Sequence, residues 1–124
     1  KGAMLTQDNL LSNAEVLRDY WRFTADDVLL HLLPIFHTHG LFVASNTAMI
    51  AGGTMIFLPK FDVEQVFKYL PQATAMMGVP TFYTRLLDDP RFTRDLAHRH
   101  GGIAAPCKKP QCSCAHARAS DIGV

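Results

Sequence analysis

Three apolar runs of strand length, at 28–33, 54–58 and 74–79, alternate with stretches whose apolar residues recur at helical spacing. This alternation most narrows what the chain can fold into. The first run, Val28, Leu29, Leu30, His31, Leu32 and Leu33, is interrupted only by His31 and closed by Pro34. A strand with one wet face would alternate apolar and polar, so a continuous run suits a strand covered on both faces, as in a parallel sheet. The intervening stretches carry helix punctuation. Thr6 or Asp8 can cap a helix over 6–21, whose Leu10, Ala14, Leu17 and Trp21 share one face. Thr24, Asp26 and Asp27 mark a turn. His39-Gly40 leads into an apolar helix over 41–51 that Gly52-Gly53 stops. Asp62 can cap a helix over 63–70, and Pro80 suits the first turn of a helix that carries Phe82, Leu86 and Leu87 and ends near Asp88. Helices and strands that alternate in this way predict an α/β fold with a mostly parallel sheet. Three strands leave two uncovered edges, so the chain reads as a piece of a larger α/β domain.

Composition excludes several classes. Of 124 residues, 48% are hydrophobic and 19% charged, which suits a packed domain rather than a disordered chain. A net charge of +1 gives no footprint for nucleic acid or an anionic membrane surface. No apolar run approaches the roughly 18 residues of a membrane span, and no secretory signal opens the chain. The first residue is Lys, which suggests a start inside a longer protein. All three cysteines, Cys107, Cys112 and Cys114, fall in the tail, an odd count that makes a poor disulfide framework and points to a reducing cytoplasm.

The most specific block is Pro34-Ile35-Phe36-His37-Thr38-His39-Gly40-Leu41-Phe42. His37 follows an aromatic residue just past a strand end, where ligands gather in open α/β sheets. The plain alternative is a partly buried His bonded to backbone. Together with Phe57-Leu58-Pro59-Lys60-Phe61-Asp62, the block 76–87 and the opening Lys1-Gly2-Ala3-Met4-Leu5-Thr6, this block resembles the adenylate-forming superfamily, and within it the malonyl-CoA synthetases. The resemblance covers residues 1–96. It implies an incomplete piece of the large N-terminal domain of an AMP-binding acyl-CoA synthetase, in which a carboxylate is joined first to AMP and then to coenzyme A.

Site roles follow from the resemblance. Lys1 corresponds to the lysine of the phosphate-binding loop, and Gly2 lets the backbone approach the phosphates. His37 is the catalytic candidate, orienting the reacting carboxylate beside Phe36. His39, Arg85 and Thr81 are the candidates for holding a second carboxylate such as that of malonate, since a buried charge needs a partner. For Arg85 the alternative is a solvent-facing residue paired with Asp88 or Asp89. Leu41, Phe42, Met49, Met76, Met77 and Phe82 either wall an acyl pocket or belong to the core. No metal-ligating residue is assigned. ATP, Mg²⁺ and coenzyme A are the implied cofactors and substrates, malonate or another small carboxylate the implied acyl donor, with no nucleic acid or membrane as partner.

The character changes after Leu96. The family pattern would continue into a strand, a Ser-Gly-Ser-like turn and the nucleotide-binding motifs. Residues 97–124 instead form a divergent tail in which 98–124 hold three His, three Cys and no clear periodicity. They read as disordered or out of frame, which makes an inactive, truncated or frameshifted remnant an alternative to an active enzyme part. Another acyl-CoA synthetase is a second alternative. A Zn²⁺ module built from Cys107, Cys112, Cys114, His98, His100 and His116 is a remote third, because the spacing lacks a paired Cys-x₂-Cys.

Overall fold

The computed structural model describes residues 2–93 and Leu96. Helix α1 (Gln7–Trp21) starts where Thr6 and Asn9 cap each other. The Thr6 hydroxyl accepts from the Asn9 amide at 3.2 Å, and Asn9 Oδ1 accepts from the Thr6 amide at 3.1 Å. Two otherwise unpaired donors are satisfied reciprocally. Strand β1 (Val28–His31) follows, then a π-helical segment (His39–Ser45) that runs into α2 (Asn46–Ala51). Gly52, at φ 73°, ends α2 in the left-handed conformation that glycine adopts without a Cβ penalty. Strand β2 (Thr54–Phe57) leads to α3 (Val63–Tyr69), capped by Asp62, whose Oδ1 accepts from the Gln65 amide at 3.0 Å. A short 3₁₀ turn (Leu70–Gln72), β3 (Ala75–Met77) and α4 (Pro80–Leu87) complete the described elements.

The three strands form one parallel sheet in the order β2-β1-β3. Passage from β1 to β2 moves one way across the sheet, and passage from β2 to β3 moves back. Crossovers of the same hand therefore place their helices on opposite faces. Leu29, Leu33, Ala75 and Met77 pack with Trp21, Phe23, Ala44 and Ala48 on the α1/α2 side. Leu30, Leu32 and Met76 pack with Leu58, Val66, Leu70 and Leu86 on the α3/α4 side. Successive strand residues point to opposite faces, so the continuous apolar run of β1 supplies both layers. Of the three strands β1 is the central one, flanked on both edges.

The amino end of the sheet is tied by Asp27, which is buried. Its carboxylate accepts from the Thr24 amide at 2.8 Å, the Thr24 hydroxyl at 3.1 Å and the Thr74 hydroxyl at 2.8 Å. The Thr74 oxygen in turn accepts from the Val28 amide at 2.9 Å, bridging β1 to the approach of β3. The turn expected at Thr24, Asp26 and Asp27 is thus also a partly buried polar staple.

Two expectations are corrected. The helix expected over 41–51 begins at His39 as a π-helix, because Gly40 is pressed against the backbone of Pro34 and the Ser45 hydroxyl donates to the Gly40 carbonyl at 2.9 Å, five residues back. Asp89 pairs with Arg91 at 2.7 Å and not with Arg85. Arg91 also reaches Glu64 at 2.6 Å and lies 4.5 Å from the centre of the Phe67 ring, joining α3 to the segment after α4.

Hydrogen bonds from Arg91 hold the Asp89 carboxyl down at about 2 and lower Glu64 as well. Depressed carboxyls stabilise the fold above their unfolded pKa, and the contribution disappears as pH falls through the folded value. The melting temperature of wild type is expected to exceed that of Arg91→Met slightly at pH 5–7, with the gap closing between about pH 4.5 and pH 2. Thermal melts across that window check this; a gap that persists at pH 2 would assign the difference to Arg91's stacking on Phe67.

Candidate functional site

In a parallel sheet all carboxyl ends lie along one edge, and the connections leaving them share that edge. Here β1 ends at His31 and β3 at Met77, in register, and the Leu32 amide donates to the Met77 carbonyl at 3.3 Å. The chain then leaves β1 through Pro34 into a loop whose residues Ile35, Phe36, His37, Thr38 and His39 are all exposed, before Gly40 dives back into the interior.

This loop is closed at both ends. The His37 amide donates to the Pro34 carbonyl at 3.2 Å, and the Leu41 amide to the His37 carbonyl at 3.0 Å. Gly40 lies so close to Pro34 that a Cβ on it would sit 2.3 Å from the Pro34 oxygen. Beneath the loop, His31 Nε2 lies 2.9 Å from the Gly40 carbonyl and 3.2 Å from Ser45 Oγ. The loop is therefore a short, exposed turn pinned to the sheet by buried backbone.

His37 and His39 are brought together: the His39 amide donates to His37 Nδ1 at 3.4 Å. With Nδ1 as an acceptor, Nε2 carries the ring proton, as a donor at the surface without a hydrogen-bond partner among the described residues. His39 has its pKa lowered, first by desolvation and then by repulsion from His37 and His31, so near neutral pH it presents a neutral imidazole. Phe36 is 91% exposed.

Thr81 and Arg85 lie one turn apart on α4, the helix that follows β3, and both are exposed. Arg85 forms no ion pair among the described residues. No hydrogen bond or ion pair joins either residue to His37 or His39 among the described residues; the shared sheet edge is what relates them. Gly2 is exposed, with nothing within 4 Å of the position a Cβ would take, and Lys1 lies outside the described residues. Of the pocket-wall candidates, Met76 and Met77 are buried core, whereas Leu41 and Met49 are exposed. The cysteines and the three tail histidines also lie outside the described residues. Among the described residues no group of three His, Cys, Asp or Glu could hold a metal ion, and no helix is long and apolar enough to cross a membrane.

Sequence reasoning passed over His31, treating it as a break in an apolar run. The usable signal was a polar ring at a position covered on both sides, which requires hydrogen-bond partners.

Residues 1–118 match the AMP-binding enzyme family. The chain is 39% identical over 116 residues to a mitochondrial malonate–CoA ligase of Mus musculus, covering 88% of this chain and 20% of that protein. It is 34% identical over 99 residues to a malonate–CoA ligase of Arabidopsis thaliana, covering 70% of this chain and 16% of that protein. Among solved structures, ATP-bound MatB from Rhodopseudomonas palustris superposes with a TM-score of 0.76 at 62% identity, over 79% of this chain and 20% of that one. A malonyl-CoA ligase holding methylmalonyl-CoA and AMP gives a TM-score of 0.72 at 34% identity, over 83% and 23%. The chain thus spans about a fifth of the length of the relatives it matches. With a matched region that takes in nearly the whole chain, and with a fold that superposes on solved relatives, the chain belongs to the AMP-binding enzyme family.

Proposed function

We propose that this chain is the portion of an ATP-dependent, AMP-forming acyl-CoA ligase that presents the acyl carboxylate to the nucleotide, and that the acyl donor is malonate. In the first step a malonate carboxylate oxygen bonds to the α-phosphorus of ATP as the bond to pyrophosphate breaks. In the second the sulfur of coenzyme A bonds to the acyl carbon and AMP leaves. The observation that carries this function is the pinned loop with a His37 Nε2–H at the carboxyl edge of the sheet. A fixed donor there orients the reacting carboxylate without reorganisation during the reaction.

Malonate is favoured over a simple acyl chain because two further polar groups share that edge. His39, neutral through desolvation, donates to the distal carboxylate and gains a proton as the negative charge arrives. Arg85, without a carboxylate partner among the described residues, is available for a forked contact, with Thr81 one turn before it. The names and bound molecules of the matched malonate ligases support this choice of substrate.

Mg²⁺, where bound, neutralises phosphate charge. The described residues do not fit it: they offer no group of three ligands, and Gly2 stands in open space rather than in a cradle. Phosphate and metal handling is therefore assigned to other parts of a complete domain, with Lys1 proposed at the margin. Turnover by these 124 residues alone is expected to be absent. We further propose a division near residue 96, between the segment that carries the recognisable motif blocks and a tail, with the family match itself running on to residue 118. A reducing compartment suits the cysteine usage, either the cytoplasm or the mitochondrial interior that one relative's name indicates.

The test is made in the complete ligase chain that carries this segment. His37→Ala is expected to lower kcat with malonate about 100-fold. His39→Ala and Arg85→Ala are each expected to raise the KM for malonate about tenfold or more while leaving that for a monocarboxylate of equal length unchanged. Equal losses for both acids would remove malonate and favour another acyl-CoA synthetase; full activity of His37→Ala would remove the proposed role of the loop.

A further inference from the structure

We propose that His31 is a positioning residue which, as an Nε2–H donor sealed under the loop, fixes where His37 and His39 stand, a role that rests on the carboxylate-binding function proposed for that loop. His31 is the last residue of β1 and is fully buried. Its Nε2 lies 2.9 Å from the Gly40 carbonyl oxygen and 3.2 Å from Ser45 Oγ, and the Ser45 hydroxyl donates to the same carbonyl at 2.9 Å. A carbonyl oxygen only accepts, so Nε2 must carry a proton. The Ser45 proton is already committed to Gly40, so the Ser45 oxygen receives Nε2–H as a second acceptor. Three polar groups close a triangle with one consistent pattern of protons. In the neutral ring this leaves the lone pair on Nδ1, which is buried without a partner among the described residues.

The triangle lies where the loop is decided. Gly40 immediately follows His39, and its backbone is pressed on Pro34, where the loop began. Two donors on the Gly40 carbonyl fix the exit of the loop, and the Pro34 contact fixes the entrance. The five exposed residues between them have no other anchor to the strands among the hydrogen bonds described. The ring of Phe57, paired with His31 across the sheet, tilts over it at 5.2 Å and closes the remaining side. A leucine at position 31 would fill comparable space and extend the apolar run. What it cannot supply is the donor, and the Gly40 carbonyl would lose its side-chain bond to β1.

In the complete ligase chain, His31→Leu is expected to raise the KM for malonate about tenfold and to lower kcat about tenfold, with the KM for ATP within about twofold of wild type. His31→Gln, whose amide N–H reaches roughly as far as Nε2, is expected to recover both constants to within about threefold. A folded His31→Leu with unchanged constants, or a glutamine no better than leucine, overturns the proposal. Ring-nitrogen ¹⁵N spectra of the wild type should show His31 as the Nε2–H tautomer; the Nδ1–H form overturns it. Should His31→Leu fail to fold, Ser45→Ala decides: a rise of about threefold in the KM for malonate supports the triangle, and no change overturns it. Backbone amide shifts separate this proposal from the function it rests on. If His37→Ala and His39→Ala leave malonate kinetics untouched, the functional assignment fails, while displaced Thr38, His39 and Leu41 amides in His31→Leu or Ser45→Ala would still establish the positioning; unmoved amides overturn it.

Discussion

Gly40→Ala is expected to be among the most damaging single substitutions in this chain, with a loss on the order of 3–5 kcal/mol and with the histidine loop displaced. The added Cβ would lie 2.3 Å from the Pro34 oxygen, 2.9 Å from its carbonyl carbon and 3.2 Å from Leu33 Cβ. The first two are backbone atoms, so no rotamer change relieves the overlap. Relief requires Pro34 and Gly40 to separate, and that movement breaks the contacts of the Gly40 carbonyl with His31 and Ser45 together with the π-helical entry to α2. Gly2→Ala is the control, since its Cβ would meet nothing within 4 Å. Gly52→Ala is intermediate: its φ of 73° costs an alanine on the order of 1 kcal/mol, but the nearest atom is an ordinary 3.7 Å away. Thermal or denaturant unfolding of the three variants should rank them in that order. A Gly40→Ala protein within about 1 kcal/mol of wild type would mean that the loop is not pinned as described.

How much of this was legible in the sequence depends on whether a residue's partners are local. Asp62, and Thr6 as one of two candidates beside Asp8, were readable as caps because a cap bonds within three residues, and both Thr6 and Asp62 do. Gly52 was identified as a helix stop for the same reason. The parallel sheet was readable from the unbroken run at 28–33, since double coverage leaves no polar face. The fold class and the family therefore followed from strings of adjacent residues. What escaped depended on contacts distant in sequence. Asp27 looked like a turn residue because its partner Thr74 lies 47 positions away. Arg91 was not considered, yet it binds Glu64 from 27 positions away and takes Asp89, which had been weighed as a partner for Arg85.

The candidate site shows the same division. His37 and His39 were visible as a motif, and the bond between them is local. The support under them was not visible, because His31 bonds a carbonyl nine positions on and a hydroxyl fourteen positions on, and periodicity carries no information about either. The π-helical entry escaped for a related reason. Leu41, Phe42 and Val43 are compatible with an ordinary helix, and the wider turn is imposed by the packing of Gly40 on Pro34. Thr81 and Arg85 were assigned to the site through resemblance, and the structure relates them to the histidines only through the common sheet edge.

Leu30→Ala is the second substitution expected to have a large effect, and it tests where the stability of the piece resides. Leu30 is wholly buried in the central strand, facing Ile56 and Met76 across the sheet and Val66, Leu70 and Leu86 beneath it. Truncation removes buried methyl groups and leaves a cavity among side chains belonging to two strands and two helices, so collapse around it is limited. The expected loss is about 2–5 kcal/mol. For a unit of this size a loss of 1 kcal/mol lowers the melting temperature by roughly 4–8 °C, so the drop should reach about 10 °C or more. Met55, on edge strand β2 and 36% exposed, pairs with Leu29 of the same central strand and makes the comparison. Met55→Ala should cost about 1 kcal/mol or less, because much of its side chain already meets solvent. A sheet held from its centre gives a clear excess for Leu30→Ala. If the two variants melted together, stability would have to come from the helices and caps, and β1 would no longer serve as the rigid base on which the histidine loop is mounted.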